Sequence, residues 1–530
     1  MTLEAIRLHN FMAFADTGWI ELKPISLLFG KNSSGKSAII RSLLLLRQSV
    51  EASDKTGKPL VFLSRDGIDS GSFVETVHKH DPNRAMVFRL RCRLQDFPED
   101  KKKRVDALKE KINERRKQNG KAPIKPDDPL NWLEVSLSFR QAKDEDDEEE
   151  GKRTLTQGEV YPAAIRLDAP WAWLDGQERV TIFALEQLDQ IAARELQKGW
   201  WLWSDILLFP DMEWPPLTLK SSERGFWPAI TDPKLFLNHP DLEDFEFVSD
   251  LLEATRQVVT DFLTSFKYLG PLRPEPQRLY AKNKLAVLEW QQRGWGAFVD
   301  FLRYEADQLK FDEIDHWLVQ LGLGEKINPP ETSQNTSKEL AVFGKVTLEE
   351  KKGSDPINLK DGGFGTAQVL PVVIQSLLAK EGSLVIIEQP ELHLHPSAQA
   401  VLTDLFIKKS REGVRFLIET HSEHILLRLQ RRIAETTFDK LAAQRSKNAE
   451  KNKPRNEGYE LVSENFTLIF IYRTEMESNI EKIKTDSHGQ LETPSPKFQD
   501  FFKDDYDEVL FRNQAIAEII RLEREYELSN

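Results

Sequence analysis

Hydrophobic positions divide the chain into stretches of two kinds. Leu3 to Phe14 is apolar-rich, Trp19 to Leu22 alternates, and Ile25-Ser26-Leu27-Leu28-Phe29 is a short continuous run closed by Gly30, so the start predicts β structure. From Ser37 the spacing changes: Ala38, Ile39, Ile40, Leu43, Leu44 and Leu46, interspersed with Arg41, Arg47 and Gln48, predict a helix with one broad apolar face. Strands are predicted again at Met86–Arg93, Trp132–Phe139 and Leu155–Leu167. Helical periodicity follows at Asp241–Phe266 and Trp295–Leu321, without sustained heptads, so no long coiled-coil arm is expected. After β structure at Leu340–Leu348 the two periods alternate. A helix at Ala367–Ala379 precedes the strand Leu384–Ile387. A helix at Pro396–Ser410 precedes the strand Arg415–Glu419, and another helix starts near Ser422. Phe466–Tyr472 reads as a late strand. This alternation predicts an α/β fold with a mainly parallel sheet.

Three polar stretches stand outside that pattern. Residues 98–128, through Lys101-Lys102-Lys103-Arg104, read as a solvated helix and a Pro-rich linker. Asp144–Glu150 is an unbroken acidic run, expected to form a disordered loop, and Lys447–Arg455 is expected to be a mobile loop. Residues 171–227 hold seven of the 12 tryptophans, and packing of a small helical subdomain is the expected use.

A chain of 530 residues is too long for one ordinary core. Its formal net charge of −13 does not mark a general nucleic-acid binder, because phosphate contacts need concentrated Lys and Arg; local basic segments at Lys101–Lys121 and Lys447–Arg455 leave DNA as a possible partner. One cysteine, Cys92, allows no internal disulfide framework. No apolar run is long enough for a bilayer, and Met1-Thr2-Leu3-Glu4 lacks the start of a secretory signal, so a cytoplasmic location without a membrane partner is expected.

Chemistry enters with Gly30-Lys31-Asn32-Ser33-Ser34-Gly35-Lys36-Ser37, which fits G-x-x-x-x-G-K-[ST] between a strand and a helix. The glycines let successive N–H groups turn toward phosphate, and the helix start at Ser37 and Ala38 favours the same anion. Lys36 is expected to reach the terminal phosphates of ATP, and Ser37 to meet Mg²⁺. The second element is Leu384-Val385-Ile386-Ile387-Glu388-Gln389-Pro390-Glu391, an apolar strand with an acid at its tip. Glu388 is the candidate acid for Mg²⁺, and Gln389 stands where such ATPases place the base that activates water. An amide orients water but takes no proton, so Glu391 is the candidate substitute base. The third is Phe416-Leu417-Ile418-Glu419-Thr420-His421-Ser422, whose His421 is placed to meet a γ-phosphate or the attacking water. The fourth is Asp361-Gly362-Gly363-Phe364-Gly365-Thr366-Ala367-Gln368, a glycine turn before an apolar helix and a second anion site, with Gly363 and Gly365 as its candidates.

In this order the motifs resemble those of ABC-like AAA ATPases of the SMC, RecF and OLD-nuclease lineage. Within it, the chain is most similar to bacterial AAA ATPases with a C-terminal domain of unknown function. Tyr268-Leu269-Gly270-Pro271-Leu272-Arg273 and Glu388 through Pro396 carry the resemblance together with the loops above. It implies an ABC-type head: an antiparallel β lobe, a RecA-like core and an inserted helical subdomain. The expected divisions are 1–95 for the N-terminal ATPase half, 96–260 for the charged and Trp-rich insertion, 261–340 for the helical subdomain and 341–530 for the C-terminal half. It implies a homodimer or higher oligomer that sandwiches two ATPs, Gly363 and Gly365 facing the partner's γ-phosphate, with His421 as switch histidine. Gln389 in place of the usual glutamate implies slow hydrolysis. The leading functional expectation is an ATP-dependent regulator of a DNA-linked process, as in anti-phage defence, working with a separate nuclease or toxin effector. Alternatives are a DNA-stimulated ATPase motor in DNA repair and an ATP-bound scaffold for a partner complex.

Overall fold

The computed structural model describes residues 3–56, 58–64, 67–93, 132–141, 160–169, 180–187, 200–203, 242–273, 308–328, 346–445, 456–492 and 494–501, with shorter pieces between them. The expectations for 98–128, for Asp144–Glu150 and for Lys447–Arg455 lie outside the described residues, apart from isolated positions in the first.

Two sheets organise the described chain. The first is antiparallel. It contains β1 (Leu3–Phe11), β2 (Phe14–Asp16), β3 (Ile20–Glu21), and, beyond the strand β4 (Ile25–Phe29) and the helix α1 (Lys36–Thr56), β5 (Met86–Arg93), β6 (Trp132–Gln141), β7 (Val160–Ala169), β8 (Val180–Gln187) and β9 (Trp200–Trp203). Its path runs β2-β1-β5-β6-β7-β8-β9, with β3 on β1. The part of the tryptophan-rich region that is described, with Trp200, Trp201 and Trp203, forms strand and not the helix expected there; the remaining tryptophans of 171–227 lie outside the described residues. Tryptophan is as well suited to a pleated surface as to a helix packing face, and the antiparallel pairing of β9 with β8 decides between them.

The second sheet carries the nucleotide motifs. After helix α2 (Leu242–Ser265) come β10 (Lys267–Leu269), α3 (Gln308–Leu321), α4 (Phe364–Leu378), β11 (Leu384–Glu388), α5 (Pro396–Arg411), β12 (Arg415–Glu419), α6 (Glu423–Arg445), β13 (Phe466–Arg473) and β14 (Ser478–Ile483). The sheet order is β10-β11-β12-β4-β13-β14. All neighbours are parallel except the antiparallel β13–β14 pair. Each residue of β4, β11 and β12 is buried, which suits strands covered on both faces.

Side chains alternate between two cores. Leu28, Ile386, Leu417 and Ile469 join α1, α2 and the antiparallel lobe on one side. Ile25, Leu27, Phe29, Val385, Ile387, Phe416 and Ile418 join α3, α4, α5 and α6 on the other. Residues 366–377 of α4 are buried without a break, so this helix is enclosed on every side, as its mostly apolar sequence demands. Fold class thus agrees with the expectation: an antiparallel β lobe beside a mostly parallel core with helices. Among the described residues, no helix is long and apolar enough to cross a membrane.

Candidate functional site

The parallel strands β4, β11 and β12 end at one edge of the sheet, where open α/β sheets gather ligands. There β4 runs out at Phe29 into the glycine loop, and α1 begins at Lys36. Gly30 sits at φ +150° against β13, and a Cβ there would collide with the Ile471 carbonyl. Gly35, at φ +109°, has the Phe14 ring 3.0 Å from where a Cβ would stand. The loop is thus clamped between β13, β14 and the antiparallel lobe, and only glycine fits at both ends. Lys31, Asn32 and Ser33 are exposed at its crest, and Ser33 takes the left-handed conformation. Ser34 is buried, and its Oγ has no hydrogen-bond partner. Ala38 donates its N–H to the Gly35 carbonyl at 3.1 Å, closing the first turn.

Lys36 folds back over this loop. Its Nζ donates to the carbonyls of Gly30 at 2.9 Å and Lys31 at 2.8 Å, and the side chain is 3% exposed. Burial lowers its pKa, and the charges of Glu419 and Glu391 pull it back up. The Ser37 hydroxyl turns the other way, toward Glu419, at 3.1 and 3.2 Å from the two carboxylate oxygens. Glu419 ends β12 and pairs in register with Leu28 on one side and Glu388 on the other. Two buried carboxylates therefore stand side by side. Burial and then the charge of Glu388 push Glu419 up to about 7. Burial also raises Glu388, against the hydrogen bond from Tyr268 and the charge of Arg41.

Residues 267–273 brace the acid-tipped strand. Tyr268 donates its phenol to Glu388 Oε1 at 2.6 Å, and burial followed by that carboxylate's charge raises its pKa. Arg273 donates from Nη2 to the Glu388 carbonyl at 2.8 Å and from Nη1 to the Gln389 carbonyl at 3.3 Å. Burial lowers it to about 10, so the guanidinium stays charged at neutral pH. Gln389 takes φ +46° and donates its backbone N–H to the Glu419 carbonyl at 2.7 Å, which ties the tips of β11 and β12 together.

Glu391 and His421 form one turn. Glu391 Oε1 accepts the backbone N–H of His421 at 2.8 Å, while Oε2 is buried with no partner. Burial raises the Glu391 pKa. The half-buried His421 imidazole is lowered by burial and then by the charge of Lys36, which favours its neutral form. Gly363 is exposed and caps α4 without a side-chain bond, as a glycine must. A Cβ on Gly365 would stand 2.8 Å from the His393 carbonyl, so the glycine turn packs on the loop that follows β11. Gln368 links the same helix to the Arg273 carbonyl at 3.0 Å.

The structure thus gathers Lys36, Ser37, Glu388, Gln389, Glu391 and His421 at one sheet edge, with Gly365 packed on the His393 carbonyl of the loop after β11 and Gly363 exposed at the start of α4. Sequence reasoning assigned no role to Glu419, Tyr268 or Arg273. Glu419 lay inside a quoted motif as the second apolar strand to end in a carboxylate, which was the available signal.

Residues 216–427 match the profile of a family described as "AAA domain, putative AbiEii toxin, Type IV TA system". The chain carries an AAA-family domain. The matched stretch contains the glycine turn, β11 and β12; the Gly30–Ser37 loop after β4 lies outside it. The chain is also 26% identical over 128 residues to the Old nuclease of Escherichia phage P2, which covers 20% of this chain and 22% of that protein. Among solved structures, the SMC head domain from Thermotoga maritima aligns at a TM-score of 0.35 and 11% identity, over 92% of this chain and 100% of that one. An SMC head with an extended coiled coil, bound to the C-terminal domain of ScpA derived from Pyrococcus furiosus, aligns at 0.36 and 11%, over 91% and 96%. Fold class here rests on the strand order given above.

The site fits a magnesium nucleotide. The glycine cradle leaves no room for Cβ atoms, Ser34 Oγ and Glu391 Oε2 are buried without partners, and the Ser37 hydroxyl meets both oxygens of the Glu419 carboxylate. Among the described residues, no group of three or more His, Cys, Asp or Glu forms an all-protein metal cage. Magnesium seldom needs one, because it takes one or two carboxylates and fills its remaining positions with water and phosphate.

Proposed function

We propose that the chain binds ATP with Mg²⁺ in the Gly30–Ser37 loop, hydrolyses it slowly, and uses closure on a second copy to control a DNA-linked process through a separate effector. The observation that carries the nucleotide reading is the buried Lys36 ammonium, held over the loop by backbone carbonyls and not by a carboxylate. A triphosphate offers that ammonium a stronger, charged acceptor. The start of α1, where the helix dipole is positive, favours the same anion. Mg²⁺, when bound, neutralises charge on the terminal phosphates. Slow turnover is supported by Gln389, whose amide takes no proton from water. Dimer closure is supported by the exposed Gly363 at the start of α4. The effector and its DNA link are supported by names alone: a toxin of a type IV toxin–antitoxin system in the family description, and a nuclease in phage P2.

One observation favours the motor alternative. Glu391 Oε2 is buried, unpartnered and close enough to Lys36 to feel its charge, so it is a candidate acceptor for the proton of an attacking water. Measuring ATP turnover and mass in solution together, with and without double-stranded DNA, separates the readings. Tight ATP binding, negligible turnover and an ATP-dependent rise in mass, all lost in Lys36→Ala, are expected. Brisk hydrolysis stimulated by DNA and lost in Glu391→Gln would establish the motor instead. A native chain that binds no ATP refutes both.

A further inference from the structure

The carboxylate that meets the Ser37 hydroxyl is not the one at the tip of β11. β12 lies between β4 and β11, with Glu419 opposite Leu28 on one side and Glu388 on the other. Neighbouring strands stand about 4.8 Å apart, so Glu419 is one strand spacing from the phosphate-loop strand and Glu388 is two. The hydrogen bonds follow that order. Ser37 Oγ donates to Glu419 at 3.1 and 3.2 Å, whereas Glu388 Oε1 is engaged by the Tyr268 phenol at 2.6 Å. Arg273 holds the Glu388 carbonyl at 2.8 Å and fixes the strand end behind it.

We propose that Glu419 is the inner carboxylate for the divalent cation of a bound nucleotide, sharing it with Ser37, and that Glu388, anchored by Tyr268, acts one layer out through water. The assignment rests on the nucleotide reading above. A hard divalent cation beside a phosphate takes oxygen donors and needs only one or two carboxylates. Ser37 and Glu419 already converge on each other, and a cation between them would replace a weak hydroxyl–carboxylate bond with two oxygen contacts. Glu388 has the geometry of an orienting partner: its Oε1 accepts the Tyr268 phenol, and its backbone carbonyl is clamped by Arg273. Such outer partners tune a metal site without touching the ion.

The test uses the full chain and its Glu419→Gln, Glu388→Gln and Tyr268→Phe variants. ADP binding is first measured in EDTA, and Mn²⁺ is then titrated into the ADP complex by electron paramagnetic resonance. Metal-free ADP binding sets the reference for each of the four proteins, and Mn²⁺ affinity is read only on the ADP-saturated protein. Mn²⁺ affinity is expected to fall at least tenfold in Glu419→Gln and less than threefold in Glu388→Gln and Tyr268→Phe. A loss in Glu388→Gln equal to or larger than that in Glu419→Gln overturns the assignment. If Glu419→Gln does not fold, Glu419→Asp serves: it keeps the charge and withdraws it by one methylene. A fall of at least threefold then supports the inner position, and unchanged affinity overturns it. A native chain that binds no ADP at all, with or without Mn²⁺, refutes the nucleotide reading itself.

Discussion

At the scale of single residues, the site places charges where folding alone would not put them. Glu419 is the clearest case. Its folded pKa of about 7 lies above the ordinary 4.5, so the metal-free folded state keeps a proton that the unfolded chain has released. The stability this brings is complete below pH 4.5 and is lost as pH rises through 7. A shift of that size corresponds to about 3 kcal/mol. Urea unfolding without magnesium, at pH 5 and pH 8, is expected to show a loss between the two that shrinks by about 2 kcal/mol in Glu419→Gln. An identical loss in both proteins would mean that the pair does not share its burden in this way. Motif spacing made most of the site legible: Lys36, Ser37, Glu388 and His421 all stand at the sheet edge their patterns implied. Glu419 was not legible as a participant. Its part depends on β12 pairing between β4 and β11, a long-range register that no local pattern encodes.

At the scale of elements, local patterns located the core well. The helices expected from Ala367, Pro396 and near Ser422 form as α4, α5 and α6, and each fully buried strand reads as a continuous apolar run. Trp200, Trp201 and Trp203 misled because aromatic residues serve both periods, and their strand is settled by antiparallel pairing with β8. Two glycines join the elements of the site. Gly35 takes φ +109° beneath Phe14, and Gly365 packs on the His393 carbonyl. Their substitutions are expected to separate two roles. Gly35→Ala imposes a strained backbone, which costs roughly 1–3 kcal/mol, and should abolish the rise in melting temperature on adding ATP. Gly365→Ala shifts the start of α4 but leaves the phosphate loop alone, so ATP should still protect the monomer while the ATP-dependent rise in mass is lost. Differential scanning fluorimetry and light scattering read these two outcomes. Loss of ATP protection in Gly365→Ala would contradict the separation.

At the scale of the whole molecule, net charge becomes a tool. Two copies that each carry a formal −13 repel across any interface they share. The Debye length is about 10 Å at 0.1 M salt and shortens as salt rises, so ATP-dependent self-association should tighten between 50 and 300 mM salt. Contact with DNA should weaken over the same range, because it depends on releasing counterions from phosphates. Analytical ultracentrifugation with ATP, and DNA binding by fluorescence anisotropy, follow the two trends. Self-association that weakens with salt would point to an interface held by opposite charges.

The placement of β4 reaches into how the protein is made. This strand comes from residues 25–29, yet its neighbours in the sheet come from residues 415–419 and 466–473. A ribosome that has just synthesised the phosphate loop therefore holds a segment with no sheet to join. The loop's backing carbonyl, from Ile471, emerges only hundreds of residues later. Domains that fold as they leave the ribosome can set early segments at once; here residues 25–29 must wait for residues 415–473. Products of translation interrupted before those residues keep the glycine loop but lack the strands that hold its shape.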